Sequence, residues 1–305
     1  MRELVVISGK GGTGKTSVVA AFAALAGGRA VLADCDVDAA DLHLVLHPKV
    51  IRREKFTAGK RARIRPGHCT ACGKCEELCR FEAIYFDGPG NGRVARTFRI
   101  DPIACEGCGV CAWFCAEGAI EFGPAVNGEW FVSETRCGPM VHAALGIAEE
   151  NSGKLVSTVR TAARELAERR GLEMVIIDGS PGIGCPVIAS LAGASLALIV
   201  TEPTLSGRHD MQRVAQLARH FGIPAMVCVN KWDLNPRAAD EIESLAGRHG
   251  VPAAPRVRYD PAVTRAQIEG TSAVECAAAP CAADIRAVWA RLRAAIDDAA
   301  AAAAS

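Results

Sequence analysis

Residues 9–17 read Gly9-Lys10-Gly11-Gly12-Thr13-Gly14-Lys15-Thr16-Ser17, set between an apolar run, Leu4 to Ile7, and a helical stretch that begins at Lys15. Nothing else in the chain limits its fold so tightly. Glycines at these positions let successive backbone amides curl around phosphate oxygens, and the helix that follows adds the positive end of its dipole. Lys15 then reaches the β- and γ-phosphates, and the Thr16 hydroxyl ligates Mg2+. The remaining sequence keeps the same rhythm. Apolar runs at 3–7, 30–34, 173–178, 196–201 and 225–230 alternate with helical stretches at 15–26, 154–170, 205–221, 237–249 and 282–299. That pattern predicts an α/β fold, a doubly wound and mostly parallel sheet covered by helices on both faces.

The early lysine, Lys10, narrows the subclass. Lys10-Gly-Gly-Thr-Gly-Lys15-Thr16 resembles the deviant Walker A motif of the MinD/ParA/Mrp family of P-loop ATPases, a family that includes the nitrogenase iron protein. The resemblance implies that Lys10 crosses a dimer interface to the partner's nucleotide, so that the protein is an ATP-dependent homodimer. It also implies roles for three further residues. Asp36, in Asp34-Cys35-Asp36-Val37-Asp38, orients the attacking water or holds the Mg2+ shell, and Asp34, Asp38 and Asp41 are read as turn caps. Asp178 ends the apolar run 174–178 as a Walker B carboxylate does, beside Mg2+ through water, and residues 179–184 resemble the family's nucleotide-sensing switch. Asn230, in Asn230-Lys231-Trp232-Asp233, matches the position that contacts adenine, while the same four residues also fit the Asn-Lys-x-Asp pattern for guanine. The remaining motifs favour ATP.

Residues 61–123 break the rhythm and contain an internal repeat, Cys69 to Ile84 matching Cys105 to Ile120 at an offset of 36 residues. Each copy holds four cysteines, Cys69-x-x-Cys72-x-x-Cys75-x-x-x-Cys79 and Cys105-x-x-Cys108-x-x-Cys111-x-x-x-Cys115. This is the spacing of bacterial two-cluster ferredoxins, in which the first three cysteines of a run hold one cubane and the fourth ligates the other. It predicts two [4Fe-4S] clusters, one on Cys69, Cys72, Cys75 and Cys115, the other on Cys105, Cys108, Cys111 and Cys79. The proline usual after the fourth cysteine is replaced by Arg80 and Ala116. The domain plan is therefore a P-loop ATPase domain, 1–60 and 124–305, with an inserted α+β bacterial ferredoxin-like domain, 61–123, whose halves join through a hairpin at Asp87 to Gly92. Of the other cysteines, Cys35 and Cys228 read as core residues and Cys276 and Cys281 have the wrong spacing for a carrier-type pair. Cys185 lies where the nitrogenase iron protein places a ligand of its dimer-bridging cluster, with Cys137 as a second candidate ligand.

Charge and composition exclude several classes. With 35 Lys and Arg against 34 Asp and Glu there is no global field to draw nucleic acid or acidic lipid, so neither is expected as a partner. Only residues 49–65, with eight basic residues and Glu54 as the one acid, stand out, as a solvated linker or as a docking patch for an acidic redox partner. No apolar run approaches the ~20 residues of a membrane span, and the chain enters a strand within a few residues of Met1 without a signal-peptide pattern. The expectation is a cytoplasmic protein whose cysteines bind iron rather than pair as disulfides. The apolar residues of 282–299 fall at helical spacing and read as core-facing, and the alanine-rich tail after Asp298 reads as a frayed helix end. Three functions follow. The first is an ATPase that gates electron transfer through two clusters to a redox protein or a metal-cofactor assembly partner. The second is an Mrp-type carrier of iron–sulfur clusters, and the third a MinD-like positioning ATPase.

Overall fold

The computed structural model describes residues 1–146, 152–276 and 279–304. The chain divides into two compact units, one formed by Met1–Glu54, Glu129–Leu145 and the residues from Ser152 onward, the other by Lys55–Gly128 with Gly146.

In the larger unit β1 (Arg2–Ser8), α1 (Lys15–Ala26), β2 (Ala30–Asp34) and α2 (Leu42–Leu46) lead into β3 (Lys49–Ile64), within which the chain passes to the second unit. There it forms α3 (Lys74–Glu77), β4 (Ile84–Gly88), β5 (Thr97–Ile100) and α4 (Val110–Trp113), and returns within β6 (Ile120–Thr135). The larger unit then continues with β7 (Gly138–Leu145), α5 (Ser152–Arg170), β8 (Met174–Pro181), α6 (Cys185–Leu191), β9 (Leu196–Thr201), α7 (Leu205–His220), β10 (Ala225–Val229), α8 (Pro236–Arg248), α9 (Ala262–Ile268) and α10 (Cys281–Ala304). Its strands lie in the order β10-β9-β1-β8-β2-β7-β6-β3. The run from β10 to β7 is parallel, and β6 meets β7 across a two-residue connection, Arg136-Cys137, which only an antiparallel pair allows.

A parallel sheet is covered on both faces, so its strands are apolar throughout. Leu4, Val6, Leu32, Ile176 and Leu198 join Phe22 of α1 and Ile285, Val288, Leu292 and Ile296 of α10 in one core, while the alternate residues Val5, Ile7, Val31, Ile177 and Ile199 are equally buried on the other face. The apolar stripe of α10 is thus spent on the core, as its spacing predicts. The helix runs on through the alanine tail to Ala304 rather than fraying after Asp298, and Ser305 lies outside the described residues. Among the described residues no helix is long and apolar enough to cross a membrane.

The smaller unit carries its repeat into three dimensions. Left-handed backbone recurs at Ala71 (φ 59°) and Gly107 (63°), Gly73 (81°) and Gly109 (77°), and Glu82 (50°) and Gly118 (55°), each pair 36 residues apart. Helices α3 and α4 keep the same offset. The halves exchange equivalent hydrogen bonds, Arg65 N donating to Ala119 O at 2.7 Å and Asp101 N to Ala83 O at 2.8 Å. Strands β4 and β5 pair antiparallel, joined through the expected turn region, where Asn91 Oδ1 accepts from Arg93 N and Val94 N. The core is small: Ile64, Cys69, Ile84, Phe98 and Ala119, with Cys75, Cys79, Cys111 and Cys115 packed against it.

Candidate functional sites

The ends of β1, β2, β8 and β10 converge on the loop 9–17. Gly12 (φ 80°) and Gly14 (φ 87°) take the left-handed backbone that turns the chain into α1. A Cβ on Gly11 or Gly12 would meet nothing within 4 Å, whereas one on Gly14 would lie 2.4 Å from Asn230 Nδ2. Asn230 explains that closeness. Its Nδ2 donates to Thr13 O at 2.8 Å and its Oδ1 accepts from Lys231 N at 3.0 Å, so its amide braces the loop from beneath.

Lys15 is buried. Its ammonium lies 2.5 Å from Asp178 Oδ1 and 3.3 Å from Asp36 Oδ2. Burial works to lower its pKa, but Asp178 and Asp36 outweigh that, leaving it above the ordinary lysine value. Asp34, which ends β2, stands in register beside Asp178 within β8. Burial, with the Asp178 charge next, pushes the Asp34 carboxyl well above the usual range, and burial raises Asp36 despite Lys15. Asp34 Oδ1 caps the turn by accepting from Asp36 N at 3.2 Å, as expected; Asp41 precedes α2 without a side-chain cap, contrary to expectation, because the chain is already helical there.

A cavity of about 560 Å3 opens beside the loop. Residues 11–18 and Asp36 form one wall, Asn230 and Lys231 another, and Val257, Tyr259 and Val263 supply an apolar side. The site therefore offers backbone amides and a lysine for phosphates, and an apolar slot for a base. Divalent cation chemistry also fits. Thr13 Oγ1, Asp34 Oδ2 and Asp178 Oδ2 are buried without a hydrogen-bond partner, and Thr16 lines the cavity. Among the described residues no three His, Cys, Asp or Glu gather around a point that would hold a metal ion. Mg2+ binds through one or two protein oxygens, water and substrate phosphates rather than in a protein cage.

Several predicted residues act from outside the cavity. Gly9 does not line it; a Cβ there would fall 2.3 Å from Asp210 Cβ, so Gly9 is needed for the approach of α7. Lys10 is turned away, 3.3 Å from Glu202 Oε2 and 3.1 Å from Ser206 Oγ. Ser17, by contrast, lines the cavity, where its Oγ accepts from Gln267 Nε2 at 2.9 Å. Asp233, the guanine-reading member of the Asn-Lys-x-Asp alternative, accepts from Tyr259 N at 2.7 Å and does not line the cavity. Sequence reasoning missed Glu202, which also binds Lys231 Nζ at 2.6 Å. Burial works to raise Glu202, but Lys231 and Lys10 prevail and hold it below the ordinary range. Its place just after β9, at the carboxyl edge of a parallel sheet, was the available signal.

In the smaller unit the cysteines sort into two cavities. One, of about 140 Å3, is lined by Cys69, Cys72, Cys75 and Cys115; the other, of about 20 Å3, by Cys79, Cys105, Cys108 and Cys111, with Cys111 touching both. Backbone amides donate to sulfur at Cys69 (Ala71 N, 3.4 Å), Cys79 (Ala83 N, 3.4 Å) and Cys115 (Ala119 N, 3.3 Å). Burial pushes the Cys75 thiol up to about 11. None of the fourteen cysteines is disulfide-bonded. Cys35 and Cys228 are buried, as expected, and burial pushes Cys228 up to about 12. Cys281 is buried at the start of α10. Of the two candidate ligands of a bridging cluster, Cys137 packs in the core with Met140 and Cys185 is exposed.

A sequence model of the CobQ/CobB/MinD/ParA nucleotide binding domain matches residues 4–273. An uncharacterised protein of Methanocaldococcus jannaschii is 34% identical over 242 residues, 76% of this chain and 79% of that one. Among solved structures, the cell division ATPase MinD of Pyrococcus furiosus superposes with a TM-score of 0.56 at 19% identity, covering 96% of this chain and 98% of its own. The septum site-determining protein MinD of Pyrococcus horikoshii, complexed with Mg-ADP, gives 0.57 at 16% identity, covering 95% of each chain. At such identities the two structures speak to the fold.

Proposed function

The chain belongs to the CobQ/CobB/MinD/ParA nucleotide-binding domain family, and from that premise we propose that it hydrolyses ATP and couples nucleotide state to one-electron transfer through two [4Fe-4S] clusters held by residues 61–123. One observation carries the redox half. One cavity is lined by Cys69, Cys72 and Cys75 with Cys115, the other by Cys105, Cys108 and Cys111 with Cys79, and Cys111 reaches both, so each holds three cysteines of one run and the fourth of the other. A unit with so few aliphatic core residues also needs a staple, and its cysteines are not disulfide-bonded. A cubane sits among four thiolates, so its ligands surround a volume rather than a single ion.

In this reading the amides of 11–16 bind the phosphates, and Lys15 leaves Asp178 to pair with the β- and γ-phosphates. Asp36 then orients the attacking water. Thr16, with Asp178 through water, would hold Mg2+, whose charge offsets that of the phosphates, and the clusters supply storage for single electrons. Lys10 exchanges Glu202 for a partner's phosphate in an ATP-dependent homodimer. Ile285, Val288, Leu292 and Ile296 of α10 are buried in the core, so the positioning alternative draws no support from them.

The test measures ATP turnover and cluster redox state together, without oxygen, in Lys15→Ala and Cys75→Ala proteins. Coupling predicts that Lys15→Ala abolishes turnover and the nucleotide response of the clusters, and that Cys75→Ala alters turnover. If Cys75→Ala leaves both turnover and partner reduction unchanged, the coupling is wrong.

A further inference from the structure

Helices α3 and α4 occupy equivalent places in the repeat yet meet solvent with different chemistry. Where α3 carries Lys74 and Glu77, α4 carries Val110 and Trp113, 36 residues on. One copy of this turn folds with charged side chains at both positions, so the fold itself does not demand an apolar pair. Trp113 is nevertheless 85% exposed and its neighbour Phe114 52% exposed. With Val110, Phe122 and the exposed Cys108 they line an open groove of about 490 Å3. Contiguous exposed apolar surface marks an interaction site, and tryptophan is a residue type that anchors one. Cys108 belongs to the second set of four cysteines, so whatever seats here stands against a cluster ligand.

The border of the groove is basic. Lys60 Nζ stands 5.4 Å from the centre of the Phe122 ring, and Lys74 Nζ stands 5.9 Å from that of Phe114. Each ammonium stands over a ring that lines the groove. Residues 55–65, the segment that carries Lys60, hold five basic residues and no acid, with Arg65 paired to Glu121 at 3.7 Å. An apolar centre with a cationic rim selects a partner whose own contact face is ringed with carboxylates.

We propose that this surface docks an acidic electron-transfer protein, which exchanges electrons with the cluster on Cys79, Cys105, Cys108 and Cys111. The proposal rests on the two-cluster reading above. In each encounter one electron leaves the reduced carrier and enters the iron–sulfide core; the carrier is oxidised by one electron, the cluster is reduced by one, and no covalent bond forms. The contact is of the small, transient class typical of redox encounters, below about 1,200 Å2.

The experiment uses the full chain with its clusters reconstituted anaerobically. Reduction is followed by stopped flow with two reductants, a reduced acidic [2Fe-2S] ferredoxin and dithionite, which needs no docking surface, and iron is counted in every variant. The expected result is a ferredoxin rate that falls as salt is added, and that falls about tenfold or more in Trp113→Ser and in Lys60→Glu/Lys74→Glu. Iron content stays at the parental level, and dithionite rates stay within about twofold of it. Variants that keep the parental ferredoxin rate overturn the docking site while leaving the clusters in place. So does loss of a dimer in Trp113→Ser by light scattering, which assigns the groove to a second copy of this chain. A parental protein that takes up no iron overturns the two-cluster reading itself, and this proposal with it.

Discussion

Replacing Gly14 by alanine tests how the phosphate loop is held. The residue sits at φ 87°, and a Cβ there would lie 2.4 Å from Asn230 Nδ2, the atom that donates to Thr13 O. Left-handed backbone costs a non-glycine residue roughly 1–2 kcal/mol. Displacing the Asn230 amide leaves a buried donor and acceptor unpaired, about 1–3 kcal/mol more. Gly14→Ala should therefore destabilise the loop by roughly 2–5 kcal/mol, and Mg-ADP affinity should fall by at least about thirtyfold. Gly12→Ala is the control, because Gly12 shares the left-handed backbone (φ 80°) but a Cβ there has open space. It should lose only the backbone part, ~1–2 kcal/mol. In urea unfolding of the nucleotide-free protein, Asn230→Ala and Gly14→Ala should cost less together than their sum, by about 1–3 kcal/mol, since removing the amide removes the collision. Additive costs within ~0.5 kcal/mol, or parental Mg-ADP binding by Gly14→Ala in calorimetry, would refute the reasoning.

Three further outcomes are expected. Cys115→Ala should lower iron by about half and disturb the cluster on Cys69, Cys72 and Cys75, with Cys79→Ala doing the same to its neighbour; iron analysis and low-temperature EPR check this, and loss of both clusters from either change would speak against the exchange of fourth ligands. Arg160→Met removes one of the two arginines paired with buried Glu3, Arg164 remaining, and also the donors to Ala189 O and Ala192 O, and should cost about 2–4 kcal/mol in urea unfolding, whereas Arg2→Ala, which removes the exposed pair with Asp297, should cost less than about 1 kcal/mol. Burial, aided by His43, holds His142 down to about 4, from an ordinary value of 6.5. The unfolded chain then takes up the proton first, so stability is lost as pH falls from about 6.5 towards 4, and His142→Gln should flatten that part of the urea-midpoint profile.

The parts of the fold legible in the sequence were those in which local pattern and tertiary demand agree. Strand β2 and β9 fall where their apolar runs placed them, because a strand buried on both faces needs no alternation to be recognised. Strand β3 was hidden. Phe56, Ala58, Ala62 and Ile64 face inward, but two of them are alanines, and the exposed Lys55, Lys60 and Arg63 gave the segment the look of a charged linker. The loop 9–17 was readable because its glycines fall between a strand and a helix, and Asp36 followed from the family resemblance; residues 11–17 and Asp36 line one cavity. Glu202 was not readable, because its work depends on Lys10 and Lys231, far apart in the chain and brought together only by the order of strands. Asn230 was found for the base it might read, yet its visible task is to hold Thr13, a contact between residues 217 apart.

Under the proposed reading, the cysteines of residues 69–115 hold two iron–sulfide cubanes in a chain that also binds nucleotide. Mössbauer spectroscopy of protein reconstituted with 57Fe under nitrogen measures this most directly. The account predicts about eight irons per chain, all in [4Fe-4S] signals, with Cys115→Ala and Cys79→Ala each removing one set. Iron absent, or present only as mononuclear sites, would contradict it.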